Sequence, residues 1–485
     1  MIRQKAVEDS LAHDVPAVEH LQVLCRFREE FYGCLTRRAD ALFELADAVL
    51  CADGPVRDLV GLSLVPEHRR GHGALYDAIN HGQVEISRLR RALAGLPLPR
   101  AAGGRIVLGV DVSPWLRPDA ATSPGRLFCH TYGRGRGNAQ MIPGWPYSFI
   151  AALEPGRTSW TAMLDALRLG PDDDLTTVTA GQVREVVGRL VAAGHHRPGA
   201  PNILVVLDAG YDVTRLAWLL ADLPVDLVGR LRSDRVFRLP VPPRPPKASG
   251  RPPRHGPELR LADPASLPTP AITTTTDTRR YGTAVATSWD RAHPRLTRRA
   301  GWEHHTGQLP IIEGTLIRLV VERLPGERNP KPVWLWHSTA DADTADVDRA
   351  WQAFLRRFDL EHTFRLFKQT LGWTAPKIRD PAAADRWTWL VLAAHTQLRL
   401  ARTLTTDLRR PWERPAEPLR LTPARVRRGF RNLRPKTPLL ARAPKLARPG
   451  PGRPPGRTNR RQAIIQPVGK TTDRSTVAGP EGRTS

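Results

Sequence analysis

Three carboxylates stand where a charge calls for a reason. Asp111 lies inside the apolar run VLGVDVS, where an ionised group is costly unless it is paired or bound to a cation. Asp208 closes NILVVLDAG, a nearly continuous apolar run that reads as a strand buried on both faces, and Ala-Gly-Tyr after it marks a sharp exit. Ligands of α/β sheets gather beyond the carboxyl ends of the strands, so Asp208 suits a site. Each acid alone also fits a plain turn or cap. The third signal lies in WQAFLRRFDLEHTFRLFKQTLGW, where Phe354, Arg357, Glu361 and Lys368 follow one another at spacings of 3, 4 and 7. On an ideal helix these four and Arg365 fall within roughly 80° of one another. A stripe of Arg, Glu, Arg and Lys is not a core stripe. By helix geometry it is either an exposed face with salt bridges or part of a charged site.

Taken together, Asp111, Asp208 and Glu361 resemble the catalytic triad of bacterial insertion-sequence DDE transposases with a ribonuclease H-like core. The helix resembles the signature of that group: Tyr, two residues, Arg, three residues, Glu, six residues, Lys. Here Phe354 stands for the Tyr and lacks its hydroxyl, while Arg357, Glu361 and Lys368 match. The resemblance covers about 105–403, including a long insertion between the second and third acids.

The resemblance implies Mg²⁺-dependent cleavage of DNA at transposon ends followed by strand transfer. Two divalent ions, Mg²⁺ with Mn²⁺ able to substitute, serve an in-line displacement at a phosphodiester. Mg²⁺ prefers oxygen ligands, so a few carboxylates suffice. By analogy Asp111 bridges both ions, Asp208 binds one and Glu361 the other, and no covalent protein–DNA intermediate is needed. Arg357, Arg365 and Lys368 share the Glu361 face and would hold phosphates of the transposon end. Arg230 and Arg232 alternate along the strand after Asp208 and face either DNA or solvent. The implied partners are double-stranded DNA, as terminal inverted repeats and target, and a second copy of the chain, since two ends must be joined. Two other readings use the same scaffold: a non-catalytic, transposase-derived DNA-binding protein, and a ribonuclease H-like nuclease that cuts without strand transfer.

Composition agrees with a polyanionic partner. The 485 residues carry 73 Lys and Arg against 48 Asp and Glu, a net charge of +25. Of the basic residues 65 are arginine, whose fork matches phosphate better than a lysine does. That balance excludes an acidic solvating protein. No apolar run approaches the roughly 18 residues of a membrane span. The N-terminus MIRQKAVEDS lacks the apolar stretch of a secretory signal. The expected setting is the bacterial cytoplasm, at the nucleoid. Cys25, Cys34, Cys51 and Cys129 form no CxxC pair and no zinc spacing, so they read as reduced thiols.

The elements that must position the acids follow from periodicity. The fold class is α/β: a mixed sheet with flanking helices, which the resemblance implies is ribonuclease H-like, a β/loop insertion, a helical N-terminal domain and a disordered basic C-terminal tail. Residues 1–100 show apolar positions at helical spacing and read as a separate helical domain for DNA-end recognition. Residues 101–237 form the first part of the core. They run as strands at 105–113, 126–132 and 147–154, a helix near 180–194, a strand at 202–210, a helix at 212–222 and a strand at 225–232. Residues 238–313, rich in Pro, Arg, Gly and Thr, are the insertion. Residues 314–403 resume the core with strands at 314–324 and 332–338, one long helix over about 344–371 and another near 382–403. From 404 to 485 the chain is basic and rich in Pro and Gly, and it reads as mostly disordered.

Other candidates take plainer readings. Asp172–Asp174 and Asp212 suit helix caps better than metal ligands. The pairs His195-His196 and His304-His305 lack partners at zinc spacing. GRGRG at 133–137 lacks the ending of a phosphate loop, and its arginines suit DNA. Trp302 either stacks on an unpaired base or simply packs.

Overall fold

The computed structural model describes residues 17–132, 139–156, 158–244, 250–263, 267–324, 327–328, 330–445 and 463–469. The N-terminal segment is helical, with α1 (Ala17–Gly33), α2 (Ala39–Cys51), α3 (Leu59–Ser63), α4 (His72–His81) and α5 (Ile86–Ala94). Two short strands, β1 (Leu35–Arg37) and β2 (Gln83–Val84), pair beside them. All of Ala41–Cys51 in α2 is buried, including Glu44 and Asp47. Those charges are tolerable because Arg28 and Arg434 meet Asp47 at 2.8 Å, and Arg69 meets Glu44.

The sheet begins with β3 (Val107–Leu116), β4 (Arg126–Tyr132), β5 (Ala139–Leu153) and β6 (Thr161–Arg168). After α6 (Leu175–Ala192) come β7 (Ile203–Leu207), α7 (Val213–Leu219) and β8 (Val225–Leu231). The insertion adds β9 (Val236–Arg238), β10 (Glu258–Arg260), β11 (Ile272–Thr278) and β12 (Gly282–Pro294). Then follow β13 (Gly314–Val321), the small hairpin β14 (Arg323–Leu324) and β15 (Glu327–Arg328), and β16 (Val333–His337). The chain continues through α8 (Thr344–Arg356), α9 (Phe358–Gln369), α10 (Pro381–Leu400), α11 (Pro423–Leu433) and β17 (Val468–Gly469).

One mixed sheet runs in the order β10-β9-β12-β13-β16-β8-β7-β3-β5-β4-β17, with β11 on β12 and β6 on β5. The neighbours β8, β7 and β3 are parallel, and β5 returns antiparallel to β3. Burial on both faces makes β7 five apolar residues in a row. This mixed sheet with helices packed on it is a ribonuclease H-like arrangement.

Several details depart from the sequence reading. The pattern over 344–371 is two helices that meet at Arg357, not one. Hydrogen bonds from Arg357 N to Phe354 O and from Leu360 N to Arg357 O, both 3.0 Å, tighten the chain there. No Pro or Gly marks the join, so the apolar period runs through it. The strand β6 is additional; its Asp165 and Arg168 interrupt the apolar pattern. In the insertion, β12 pairs with β13 over most of its length and so extends the main sheet. The expectation of a mostly disordered tail does not hold for 404–445. There α11 buries Val426, Phe430 and Leu433, and Arg427 donates to Val49 O at 2.8 Å. Residues 446–462 and 470–485 lie outside the described residues. The same hydrophobic cluster unites α1, α2, α10 and α11.

Candidate active site

Sheet register sets the first two acids side by side. β3 and β7 pair in parallel from Val107 with Leu204 to Gly109 with Val206. Two residues further on, the same register brings Asp111 level with Asp208, just past the carboxyl end of β7. Asp212 then caps α7 by accepting from Arg215 N at 3.0 Å, which fixes the turn that carries Asp208. Gly229 on β8 allows this turn to sit close: a Cβ there would lie 2.5 Å from Val213 Cβ.

The third acid arrives on α9. A Cβ at Gly109 would stand 2.8 Å from Leu360 Cδ1, so the missing side chain at Gly109 seats α9 on β3 immediately before Glu361. The helix is fastened further along by a buried hydrogen bond between Thr161 and Thr363 hydroxyls at 2.9 Å. Phe364 also packs on Phe149, with ring centroids 5.1 Å apart.

Arg357 stands at the centre of the three acids. Its Nη1 donates to Asp111 Oδ2 at 2.6 Å. Its Nη2 lies 3.5 Å from Asp208 Oδ2 and 3.7 Å from Glu361 Oε1. The guanidinium is 8% exposed, whereas Asp208 and Glu361 are 35% and 46% exposed. Burial raises the pKa of Asp111 to about 6; Arg357 opposes the rise and the charge of Asp208 adds to it. Burial also raises Glu361, against the pull of Arg357. One positive charge therefore serves a cluster with up to three negative ones. Asp208 Oδ1 is buried without a hydrogen-bond partner among the described residues.

The remaining cations are spread around this centre. Arg365 is exposed on α9 and close enough to Glu361 to lower its pKa. Lys368 is half-buried, with Nζ 5.7 Å from the Trp373 ring centroid. Burial lowers its pKa, and Cys129 and Asp111 oppose that. Arg230 is exposed on β8, where the register Leu207 to Gly229 sets it level with Asp208. Arg232 follows it, also exposed. Phe354 is buried in the hydrophobic core.

Among the described residues no three His, Cys, Asp or Glu side chains converge closely enough to hold a metal ion. The three carboxylates turn to Arg357 instead. Their chemistry nonetheless fits a divalent cation: the donors are all oxygen, and Asp208 Oδ1 has an unused lone pair in a buried position.

Other expectations resolve simply. Asp174 caps α6 by accepting from Thr177 N. Trp302 is buried and packs against Trp218 with centroids 6.2 Å apart, so it is a packing residue. The GRGRG string lies outside the described residues. Sequence reasoning missed two contributors. Gly109 was visible as a glycine inside an apolar strand. Tyr211, three residues after Asp208, is buried beside the cluster. Burial, with the charge of Asp111, pushes its pKa well above the usual phenol range.

A ribonuclease H-like sheet with one acid inside β3, a second level with it just past the carboxyl end of the adjacent parallel strand β7, and a third on a helix across them, suits a nucleic-acid nuclease. The family model described as DDE superfamily endonuclease matches residues 30–295, more than half of the chain, and the chain belongs to that family. The match includes Asp111 and Asp208 and ends before Glu361. Membership makes this a DDE-type nuclease with DNA as its substrate class. No curated protein matches the chain. Among the described residues no helix is long and apolar enough to cross a membrane.

Proposed function

We propose that this chain is a DDE transposase, which cuts DNA at transposon ends and transfers the freed strand to a target. One observation carries the reading: residues 111, 208 and 361, from two strands and a distant helix, all reach a single buried guanidinium. Asp111, Asp208 and Glu361 are the residues that would hold two Mg²⁺ ions. When bound, such ions lower the pKa of water or a 3′-hydroxyl and stabilise the departing oxygen of a phosphodiester.

The side chains supply the rest. Arg357 and Lys368 sit beside the acids and bind phosphate oxygens at the cut. Arg365, Arg230 and Arg232 extend that positive surface along the duplex. Helices of residues 1–100 read the terminal inverted repeats, and the basic residues beyond 404 add attraction to phosphate that does not depend on sequence. A dimer on DNA brings two ends together.

The test is a duplex that carries an inverted repeat sought in the DNA on either side of the reading frame. Asp208→Ala abolishes Mg²⁺-dependent cleavage and leaves binding to that duplex intact. Undiminished cutting by this variant removes Asp208 from the catalytic role. Joining of the cut end to a second duplex separates a transposase from a nuclease that only cuts.

A further inference from the structure

The acid cluster is neutralised by one of the chain's own side chains, and the fit is incomplete. Arg357 forms a hydrogen bond to one acid only, Asp111 at 2.6 Å. The distances of 3.5 and 3.7 Å to Asp208 and Glu361 are ion-pair distances at which neither acid forms a hydrogen bond to it. Its fork is split between carboxylates instead of gripping one with both arms, so it forgoes the stronger two-pronged geometry. Two buried polar atoms go unsatisfied in this pose, Arg357 Nε and Asp208 Oδ1. The residue also sits at the join between α8 and α9, where the helical hydrogen-bond ladder is interrupted.

We propose that Arg357 is a resting counter-ion for the acids, which divalent metal and a DNA phosphate displace together. The proposal rests on the reading of Asp111, Asp208 and Glu361 as the metal-holding set. A guanidinium and a divalent cation cannot share three carboxylates, because like charges repel strongly at such separations. Metal therefore enters only as the guanidinium leaves. A guanidinium taken from a nearly buried site needs another anion, and the phosphate of a bound DNA end supplies one. Free protein then holds metal weakly, and protein on a DNA end holds it tightly. Linkage requires the converse, so metal also tightens the grip on the end. The same side chain that blocks the site without DNA becomes a phosphate ligand once DNA is present, and Arg357 is in this sense a positioning residue for the metals.

The experiment measures Mn²⁺ binding to the full chain by the loss of the free-ion paramagnetic resonance signal. It is made with and without a pre-cleaved end duplex that ends in a 3′-deoxynucleotide lacking its 3′-hydroxyl, so that no turnover intervenes. Arg357→Gln, and Arg357→Met as a second neutral variant, are expected to bind Mn²⁺ at least tenfold more tightly than the unaltered chain without DNA. The duplex is expected to tighten Mn²⁺ binding at least tenfold more in the unaltered chain than in either variant. Arg357→Lys, which keeps the charge, should stay near the unaltered chain. Circular dichroism identifies any variant that does not fold. If all variants fail to fold, the unaltered chain still decides, because a duplex that leaves its Mn²⁺ affinity unchanged overturns the proposal. Equal Mn²⁺ affinity in Arg357→Gln and the unaltered chain, with binding lost in Asp208→Asn, overturns this proposal alone. Absence of Mn²⁺ binding that depends on Asp208 in any form overturns the metal-site reading and this proposal with it.

Discussion

Gly109→Ala tests how the third acid is held. The added Cβ would meet Leu360 Cδ1 at 2.8 Å and Leu153 Cδ2 at 3.2 Å. Ordinary carbon contacts are about 3.5–4.0 Å, so the nearer one is short by about 1 Å. Leu360 is fully buried and Leu153 nearly so, which leaves little room for either side chain to turn away. Overpacking of this kind costs about 1–3 kcal/mol. The strain is relieved most directly by lifting the first turn of α9, and Glu361 is the next residue. A displacement of about 1 Å at a reacting centre can cost ~100-fold in rate. We expect a cleavage rate reduced by roughly 10–100-fold, unchanged binding of the end duplex and stability lowered by about 1–3 kcal/mol. Single-turnover cleavage at saturating Mg²⁺ and a urea titration measure the two effects. Leu360→Val added to Gly109→Ala should restore most of the rate, because it removes volume where the methyl group added it. Full-speed cleavage by a properly strained Gly109→Ala protein, or no recovery in the double variant, would show that the seat on β3 does not fix Glu361.

Two further predictions concern stability. His395 is fully buried between Trp160 and Phe367, and neither ring nitrogen has a partner among the described residues. Burial, with the charge of Arg399, lowers its pKa to about 3. The unfolded chain takes up this proton near pH 6.5 and the folded chain does not, so stability is lost as the pH falls from about 6.5 towards 3. That loss is about 2 kcal/mol by pH 5. In His395→Leu the slope of unfolding free energy over this interval should be shallower by that amount in denaturant titrations at pH 7 and 5; parallel slopes would refute the assignment. Asp165, fully buried on β6, pairs with Arg90 of α5 at 2.8 Å and Arg189 of α6 at 2.5 Å. Asp165→Leu leaves two partly buried guanidinium groups with only the exposed Glu185 carboxylate, 3.5 Å from each, as a shared anion; it should cost about 3 kcal/mol, with faster amide exchange in α5 as the local sign.

Much of the site was legible because it depends on local pattern. The apolar runs around Asp111 and Asp208 are strands, with Asp111 inside β3 and Asp208 just past the end of β7, and parallel register sets the two acids level. Glu361 was legible only through its spacing from Arg357 and Lys368. The ideal-helix angles treated that stretch as continuous; α8 and α9 meet at Arg357, yet Arg357 still lies 3.7 Å from Glu361 four residues on. What the sequence hid depends on partners distant in the chain. The strand β6 has Ala, Asp and Arg where a strand pattern wants branched residues, and its pairing with β5 stabilises it. The helix α11 was obscured by the composition around it. Val426, Phe430 and Leu433 are at helical spacing, but they lie in a segment whose average charge suggests disorder. The contact of α2 with α10 and α11 joins residues more than 300 positions apart, and no periodicity announces it.

The depth at which α2 is sunk has a consequence for how such a chain can diversify. A front segment tethered by a linker could be exchanged for another as a cassette, changing which DNA is read while the cutting machinery stays the same. Here the exchange would tear out a helix on which the far end of the polypeptide is built. Under the proposed function, in which residues 1–100 read the DNA ends, new preferences would arise by altering single side chains on the outward faces of α1, α4 and α5, and that segment and the sheet would be inherited as one piece.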